Sequence, residues 1–157
     1  MHARLAEAKD IPQLIKLGRE LLEMHFQFDN SYYQIEENFD ESFSNWIQNT
    51  LNTSSQFIFV AENNDKTKII GFISGFIKPL YPWFKIKSVG HISYLFVHSQ
   101  YRKQRVGKSL EKKAVEWFKS KNITYLELYV DEKNTSGQYA WNSYAYEPFK
   151  KFLRKSL

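Results

Sequence analysis

The sequence predicts an α/β fold: a mixed, mostly antiparallel central sheet flanked by helices, in the order β-α-α-β-β-β-α-β-α-β. Three observations carry that expectation. QFIFVAEN (56–63) and IIGFISGFIKP (69–79) are rich in β-branched and aromatic residues, and the turn-forming NNDKTK between them makes them a hairpin. GHISYLFVHS (90–99) reads as the next strand after a loop with one proline and three aromatics, LYPWFKIKS. A helical segment then joins that strand to ITYLELYV (123–130), and a helical crossover makes the strands it connects parallel.

The other elements follow in order. Residues 2–7 predict a short first strand. Asp10 predicts an N-cap with Pro12 in the first turn, and Ile11, Leu14, Ile15, Leu17, Leu21, Leu22 and Met24 recur at helical spacing over 11–26. FDNSYYQ (28–34) is a turn-rich connection. A second helix over about 36–51 carries Phe39, Phe43, Trp46, Ile47 and Leu51. Gly107–Lys121 predicts a helix with Leu110, Ala114, Trp117 and Phe118 on one face. NTSGQYAWNSYAY (134–146) predicts a short helix opened by an Asn cap, and EPFKKFLRKSL a final strand. No repeat or linker divides the chain, so residues 1–157 are expected to form one domain.

Composition excludes several kinds of chemistry. There is no cysteine, hence no disulfide, thiolate metal site or Cys nucleophile. The four histidines lack metal-ligand spacing, so no metal is expected. The start lacks the apolar core of a signal peptide, and no apolar run approaches the roughly 20 residues that cross a bilayer. A cytoplasmic protein is the expectation.

The net charge of +5 is unevenly placed: residues 102–121 hold eight basic residues against Glu111 and Glu116, so this stretch alone carries +6. Concentrated positive charge points to an anionic ligand: a phosphorylated cofactor, nucleic acid or a membrane surface. The arrangement narrows the choice. A strand, a basic loop and then a glycine opening a helix make an anion-binding device, because the first turn of a helix has unpaired N–H groups and the positive end of the helix dipole. Gly107 lets backbone approach the ligand, and Arg102, Lys103, Arg105 and Lys108 add charge. Gly107-Lys108-Ser109 is not the end of a P-loop, since Arg102 stands where that motif wants glycine, and the GxGxxG fingerprint is absent.

ISYLFVHSQYRKQRVGKSL resembles the signature of the GNAT superfamily of acyl-CoA-dependent N-acetyltransferases. Ile92, Leu95 and Val97 match its strand positions; Arg102, Val106 and Gly107 match its loop. Arg105 replaces the first loop glycine, and its N–H stays available only if its φ is negative. LAEAKDIPQLIKLGREL resembles the family's first strand and helix. YLELYVDEKNTSGQYAWNSYAYEPF resembles its later motif, with Asn134 in place, Trp141 where a Tyr is usual, and Ala145-Tyr146 for Gly-Phe.

The resemblance implies acetyl-CoA as co-substrate and an amine of a small molecule or peptide as acceptor. The fourth strand would splay from the fifth, with the pantetheine arm in the gap against Leu95, Phe96 and Val97. N–H groups from Arg102 through Lys103, Gln104, Arg105, Val106 and Gly107 to Lys108, with Ser109 after them, would hold the pyrophosphate. Arg102 and Lys103 would reach the 3′-phosphate, Asn134 would contact the thioester side, and Trp141, seven positions on, would also contact the cofactor.

Trp141 has no useful acidic proton, so Tyr144, three residues on, is the candidate acid for the departing thiolate. His91 precedes the strand isoleucine, where the histone-modifying branch places a Glu base, and imidazole titrates near neutrality. Ser93 shares its strand face and could order a water. His98 points to the other strand face and reads as a loop-entry residue, and His25, near the expected acceptor cleft, has no nameable partner. Tyr32, Tyr33, Trp83 and Phe84 are candidate acceptor-pocket aromatics, and Asp29, Glu36, Glu37 and Asp40 form an acidic group that would attract a cationic amine. Two alternatives stay open: an acyl-CoA-binding module without transfer, and, less favoured, a nucleic-acid-binding domain, for which no recognised motif is found. No nucleic-acid or membrane partner is expected, and a homodimer is left open.

Overall fold

The hairpin read at 56–79 lies at the centre of the sheet. In the computed structural model, which describes residues 1–157, β2 (Gln56–Glu62) pairs antiparallel with β3 (Ile69–Pro79), from Gln56 opposite Phe76 to Glu62 opposite Ile69. β1 (His2–Leu5) adds to β2, and β4 (Ser88–Val97) adds antiparallel to β3. β5 (Leu126–Leu128) runs parallel to β4, as the helical crossover requires. The spatial order is β1-β2-β3-β4-β5.

Helices cover both faces. α1 (Ile11–Phe28) and α2 (Phe39–Leu51) lie on one; α3 (Val106–Ser120) lies on the other, with α4 (Thr135–Ser143) beside it. This sandwiching explains why β2 and β3 are almost continuously apolar. Along β2, Phe57, Phe59 and Ala61 join the α3 core, whereas Ile58 and Val60 join the α1/α2 core. Phe118, 1% exposed, anchors α3; truncation to Ala would cost about 3–5 kcal/mol. Gly90 permits this close docking, since a Cβ there would lie 2.7 Å from the Phe118 ring.

A bulge in β4 shapes the site. Ser74 pairs with Tyr94 but Gly75 pairs with Ile92, so Ser93 is the extra residue. Its effect is visible in the packing: Ile92 and Leu95 meet the α3 core, Tyr94 and Phe96 the α1/α2 core. Pairing with β5 covers only Gly90–Ile92 and stops at the bulge. β4 and β5 therefore part from Ser93 onward.

Several expected elements are corrected. The final strand does not form: residues 147–157 make no backbone hydrogen bond, and Phe149, Phe152 and Leu153 are about four-fifths exposed. The reason is that β5 is too short to offer a ladder, and side chains tie the tail down instead. Phe152 meets Tyr129, and Arg154 pairs with Asp29 at 2.7 Å. α2 begins at Phe39, three residues later than expected. Asp10 does not cap α1 with its side chain; Arg4 takes both of its oxygens at 2.7 and 3.0 Å, and Glu7 N–H donates to it at 2.8 Å.

Candidate functional site

At the end of β4 the chain turns through a short 3-10 turn (Ser99–Tyr101) and enters α3. The Arg102 N–H donates to the Ser99 carbonyl. After it, the N–H groups of Lys103, Gln104, Arg105, Val106, Gly107 and Lys108 find no acceptor in the chain; the helix ladder begins with Ser109 N–H to Arg105 O. The loop is held open by two residues in the left-handed region, Lys103 (φ 61°) and Arg105 (φ 63°). Arg105 is thus a correction: its φ is positive, because it adopts the conformation a glycine would take there. Left-handed turns of this kind gather N–H groups into a concave anion-binding nest. None of Arg102, Lys103, Arg105 or Lys108 is paired with a carboxylate.

The walls of this cradle come from β4 and α4. A Cβ on Gly107 would lie 2.9 Å from the Tyr144 hydroxyl and within 4 Å of Leu95 and Val97 side chains. The Tyr144 hydroxyl therefore reaches the first turn of α3. Trp141 packs edge-on against Tyr144 and Tyr146. The Arg102 guanidinium folds back over the Phe96 ring and donates from Nε to the Val97 carbonyl at 2.9 Å, so this carbonyl is already engaged. Asn134 caps α4, its Oδ1 accepting from Gly137 N–H at 2.9 Å.

The opposite face carries the second group. His91 is 9% exposed and lies between Phe76 of β3 and Tyr129 just beyond β5, with ring centroids 5.0 and 5.2 Å away. Its Nδ1 is buried without a partner. Burial pushes the imidazole below its ordinary 6.5, Lys78 lowers it further, and Glu127 opposes both. Lys78 and Glu127 are paired at 2.9 Å. On the α3 side, burial and the nearby Glu111 raise the Tyr144 phenol, keeping it protonated. His91 and Tyr144 are thus separated by the sheet, one on each face of β4.

Between Arg19 and Asp131 the α1–α2 connection closes this second face. Tyr33 donates to Asp131 at 3.4 Å and meets the His25 ring at 5.2 Å. Asp29 accepts from Arg154, which also stacks on Tyr32, and Asp40 accepts from Arg19 at 2.6 Å. Only Glu36 and Glu37 of the four acidic residues remain unpaired; with Gln34, Ile35 and Asn38 they line a cavity of about 440 Å³ in the connection.

Comparison with known proteins decides the family. The family model for the GNAT acetyltransferases matches residues 18–143. The chain belongs to the GNAT family of acetyltransferases. No curated protein is a match to this GNAT chain. Among solved structures, a mutant protein from Bacillus halodurans is 18% identical with a TM-score of 0.89, covering 100% of this chain and 99% of that one. The aminoglycoside antibiotic 6′-N-acetyltransferase of Acinetobacter haemolyticus is 14% identical with a TM-score of 0.79, covering 100% and 98%. A predicted acetyltransferase from Clostridium acetobutylicum, solved with acetyl-CoA, is 18% identical with a TM-score of 0.77, covering 99% and 95%. These likenesses establish the GNAT fold over the whole chain.

Within this GNAT domain the loop residues read from the sequence come together, and the aromatics do not. Trp83 is 72% exposed in the β3–β4 turn, stacked on Tyr81, and no ring contact joins it or Phe84 to Tyr32 or Tyr33. His98 contacts Tyr101 and lies 3.9 Å from Glu20, and His25 bonds the Leu21 carbonyl through Nδ1. The reading of the sequence missed Tyr129, Glu127, Phe76 and Ser74. The parallel pairing of β4 with β5 could have flagged Glu127 beside His91. Ser74 carries no local signal, because only the bulge brings it beside Ser93.

Proposed function

We propose that this GNAT protein transfers an acetyl group from acetyl-CoA to a primary amine by direct attack, with both substrates bound. The observation that carries the reading is the run of six N–H groups without acceptors at the head of α3, ringed by four basic side chains that have no carboxylate partner. A pyrophosphate satisfies both features. The open edge of β4 beyond Ile92 leaves room for an extended arm leading to the bulge.

Acetyl-CoA supplies an activated acyl group: the C–N bond forms as the C–S bond breaks, one proton leaves the nitrogen and one reaches sulfur. On the acceptor face, His91 stays neutral at physiological pH because of its burial, so it can take the proton from the amine. On the other face, Tyr144 stays protonated and can donate to the departing thiolate. Placing base and acid on opposite faces of β4 suits a reaction whose two substrates arrive from opposite sides. Backbone N–H groups at the bulge are the natural donors to the carbonyl oxygen as it gains charge.

Calorimetric titration of acetyl-CoA into the wild type and into Gly107→Glu tests the reading. The new carboxylate would stand in the cradle and displace the Tyr144 hydroxyl. Micromolar binding lost at least about 100-fold in a variant that retains its circular dichroism is the expected result. Equal affinity in both proteins would move the cofactor elsewhere. Binding without thiol release on a broad amine panel would make this an acyl-CoA-binding module.

A further inference from the structure

One built cavity is left unused by that reaction. About 310 Å³ of space lies between α2 and the sheet, beside the β4 bulge. Trp46 and Thr50 of α2 line it from above, and Gln56, Ser74, Phe76 and Ser93 from the sheet. The hydroxyl of Ser74 is the decisive observation. Ser74 is 1% exposed, and its Oγ has no hydrogen-bond partner. Buried hydroxyls are almost always paired, so an orphan at a cavity wall points to a missing polar guest. The neighbouring groups extend this capacity. The Thr50 hydroxyl donates to the Trp46 carbonyl at 2.8 Å and lies 3.2 Å from the Gln56 side-chain oxygen, and the Gln56 amide N–H groups have no protein partner. Ser93 sits in the bulge itself, across from Ser74 and Gly75.

The cavity also excludes guests. None of its eight lining residues is charged, so an ammonium or carboxylate buried there would lack compensation. Trp46 and Phe76 offer ring faces for the C–H surface of a guest, and the Phe76 ring lies 5.0 Å from the ring of His91. The volume is at the small end for ligand pockets, matching part of a small molecule. Meanwhile two carboxylates of the acidic connection are already neutralised by Arg154 and Arg19, which weakens any attraction for a polycation.

We infer that this cavity is the acceptor subsite, and that it selects amines carrying a neutral hydroxyl or amide group a short distance from the reacting nitrogen. The inference rests on the acetyltransferase reading. The amine nitrogen lies at His91 and the polar group passes Phe76 to reach Ser74, Ser93 and Gln56. The acceptor class is therefore amino alcohols, amino sugars or amino amides, and not polyamines.

The test uses the full-length protein, acetyl-CoA and matched amines, with thiol release as readout: ethanolamine against propylamine, glucosamine against cyclohexylamine, and spermidine as the polycation. The hydroxylated partner is expected to exceed its deoxy analogue at least about tenfold in kcat/KM, because the analogue leaves buried polar groups unpaired. Ser74→Ala should narrow that ratio to about threefold, acting on KM, with acetyl-CoA affinity unchanged by calorimetry. Ser74→Thr, which retains the hydroxyl, should recover part of the ratio. A preference for spermidine or the deoxy amines, or a ratio that Ser74→Ala does not move, would overturn the inference while leaving the cofactor reading intact. Bound acetyl-CoA with no transfer to any amine would do the same. Failure to bind acetyl-CoA would overturn both.

Discussion

The proposed cofactor side and the proposed acceptor side of this protein are built in different ways. The first is almost contiguous: strand end, loop and helix start fall within residues 95–109, and backbone N–H groups supply its unpaired donors. The second is assembled from β3, β4, the end of β5, α2, the α1–α2 connection and the C-terminal tail, and side chains supply its chemistry. A backbone site tolerates substitution as long as the loop keeps its shape. A side-chain site changes with each residue. One fold can thus keep one co-substrate while its acceptor varies.

His91 is the sharpest point at which to break the comparison, because it belongs to the acceptor side alone. His91→Gln should lower kcat/KM for the amine about 100-fold while acetyl-CoA affinity stays as in the wild type. The wild-type rate should fall on the acid side with a midpoint below 6.5, and the variant should lack that limb. Stability should follow the same group. The unfolded chain binds this proton near 6.5 and the folded chain only at lower pH, so the unfolded state holds more protons in between. Wild-type stability should therefore be level above about 6.5 and drop as pH falls through that window, and His91→Gln should flatten the slope in urea titrations across pH. A pH-independent difference between the two proteins would make His91 a packing residue.

The same division explains what the sequence could reveal. The hairpin at 56–79, the crossover helix and the head of α3 are local patterns: apolar runs, turn residues and charge lie within a few positions of one another. Asn134 was readable as a cap for this reason, and it is one. Ser74 and Ser93 are nineteen positions apart, and a single inserted residue in β4 decides that they meet; no spacing rule announces a bulge. The tail misled for a related reason. Its Phe and Leu residues suit a strand, but a strand needs a partner, and β5 offers only three paired residues. Arg105 was expected to need a negative φ, whereas the loop holds it in the left-handed conformation.

The tail gives a smaller test of the acceptor side. Arg154 is held by Asp29 and stacks on Tyr32, and Phe152 touches Tyr129, which in turn touches His91. Asp29 is held down to about 2, first by Arg154 and then by the Ser31 hydroxyl. Arg154→Ala should let that carboxyl rise toward its ordinary 3.8, followed by NMR titration, and should raise the acceptor KM several-fold with acetyl-CoA affinity unchanged. A matching loss of acetyl-CoA affinity would show that the two sides are not independent.

The smallest expected effect concerns the cofactor side and has the opposite sign. Arg105 holds φ 63° and ψ 11°, a conformation that costs an L-residue about 1–2 kcal/mol. Glycine would remove that strain, at a cost of about 0.5–1 kcal/mol in added freedom of the unfolded chain. Arg105→Gly should therefore raise stability by up to about 1.5 kcal/mol, read by urea denaturation. Its N–H stays in the nest, so acetyl-CoA binding should persist, weakened only by loss of one exposed charge: a few-fold at low salt, and converging with the wild type as salt screens the phosphates. The pairing of higher stability with lower affinity is the signature of a residue kept for its charge in a position shaped for glycine. Lys103→Gly, at φ 61°, should repeat the pattern. If instead Arg105→Gly destabilises the protein, the arginine side chain is anchoring the loop, and the cradle depends on side chains as the acceptor face does.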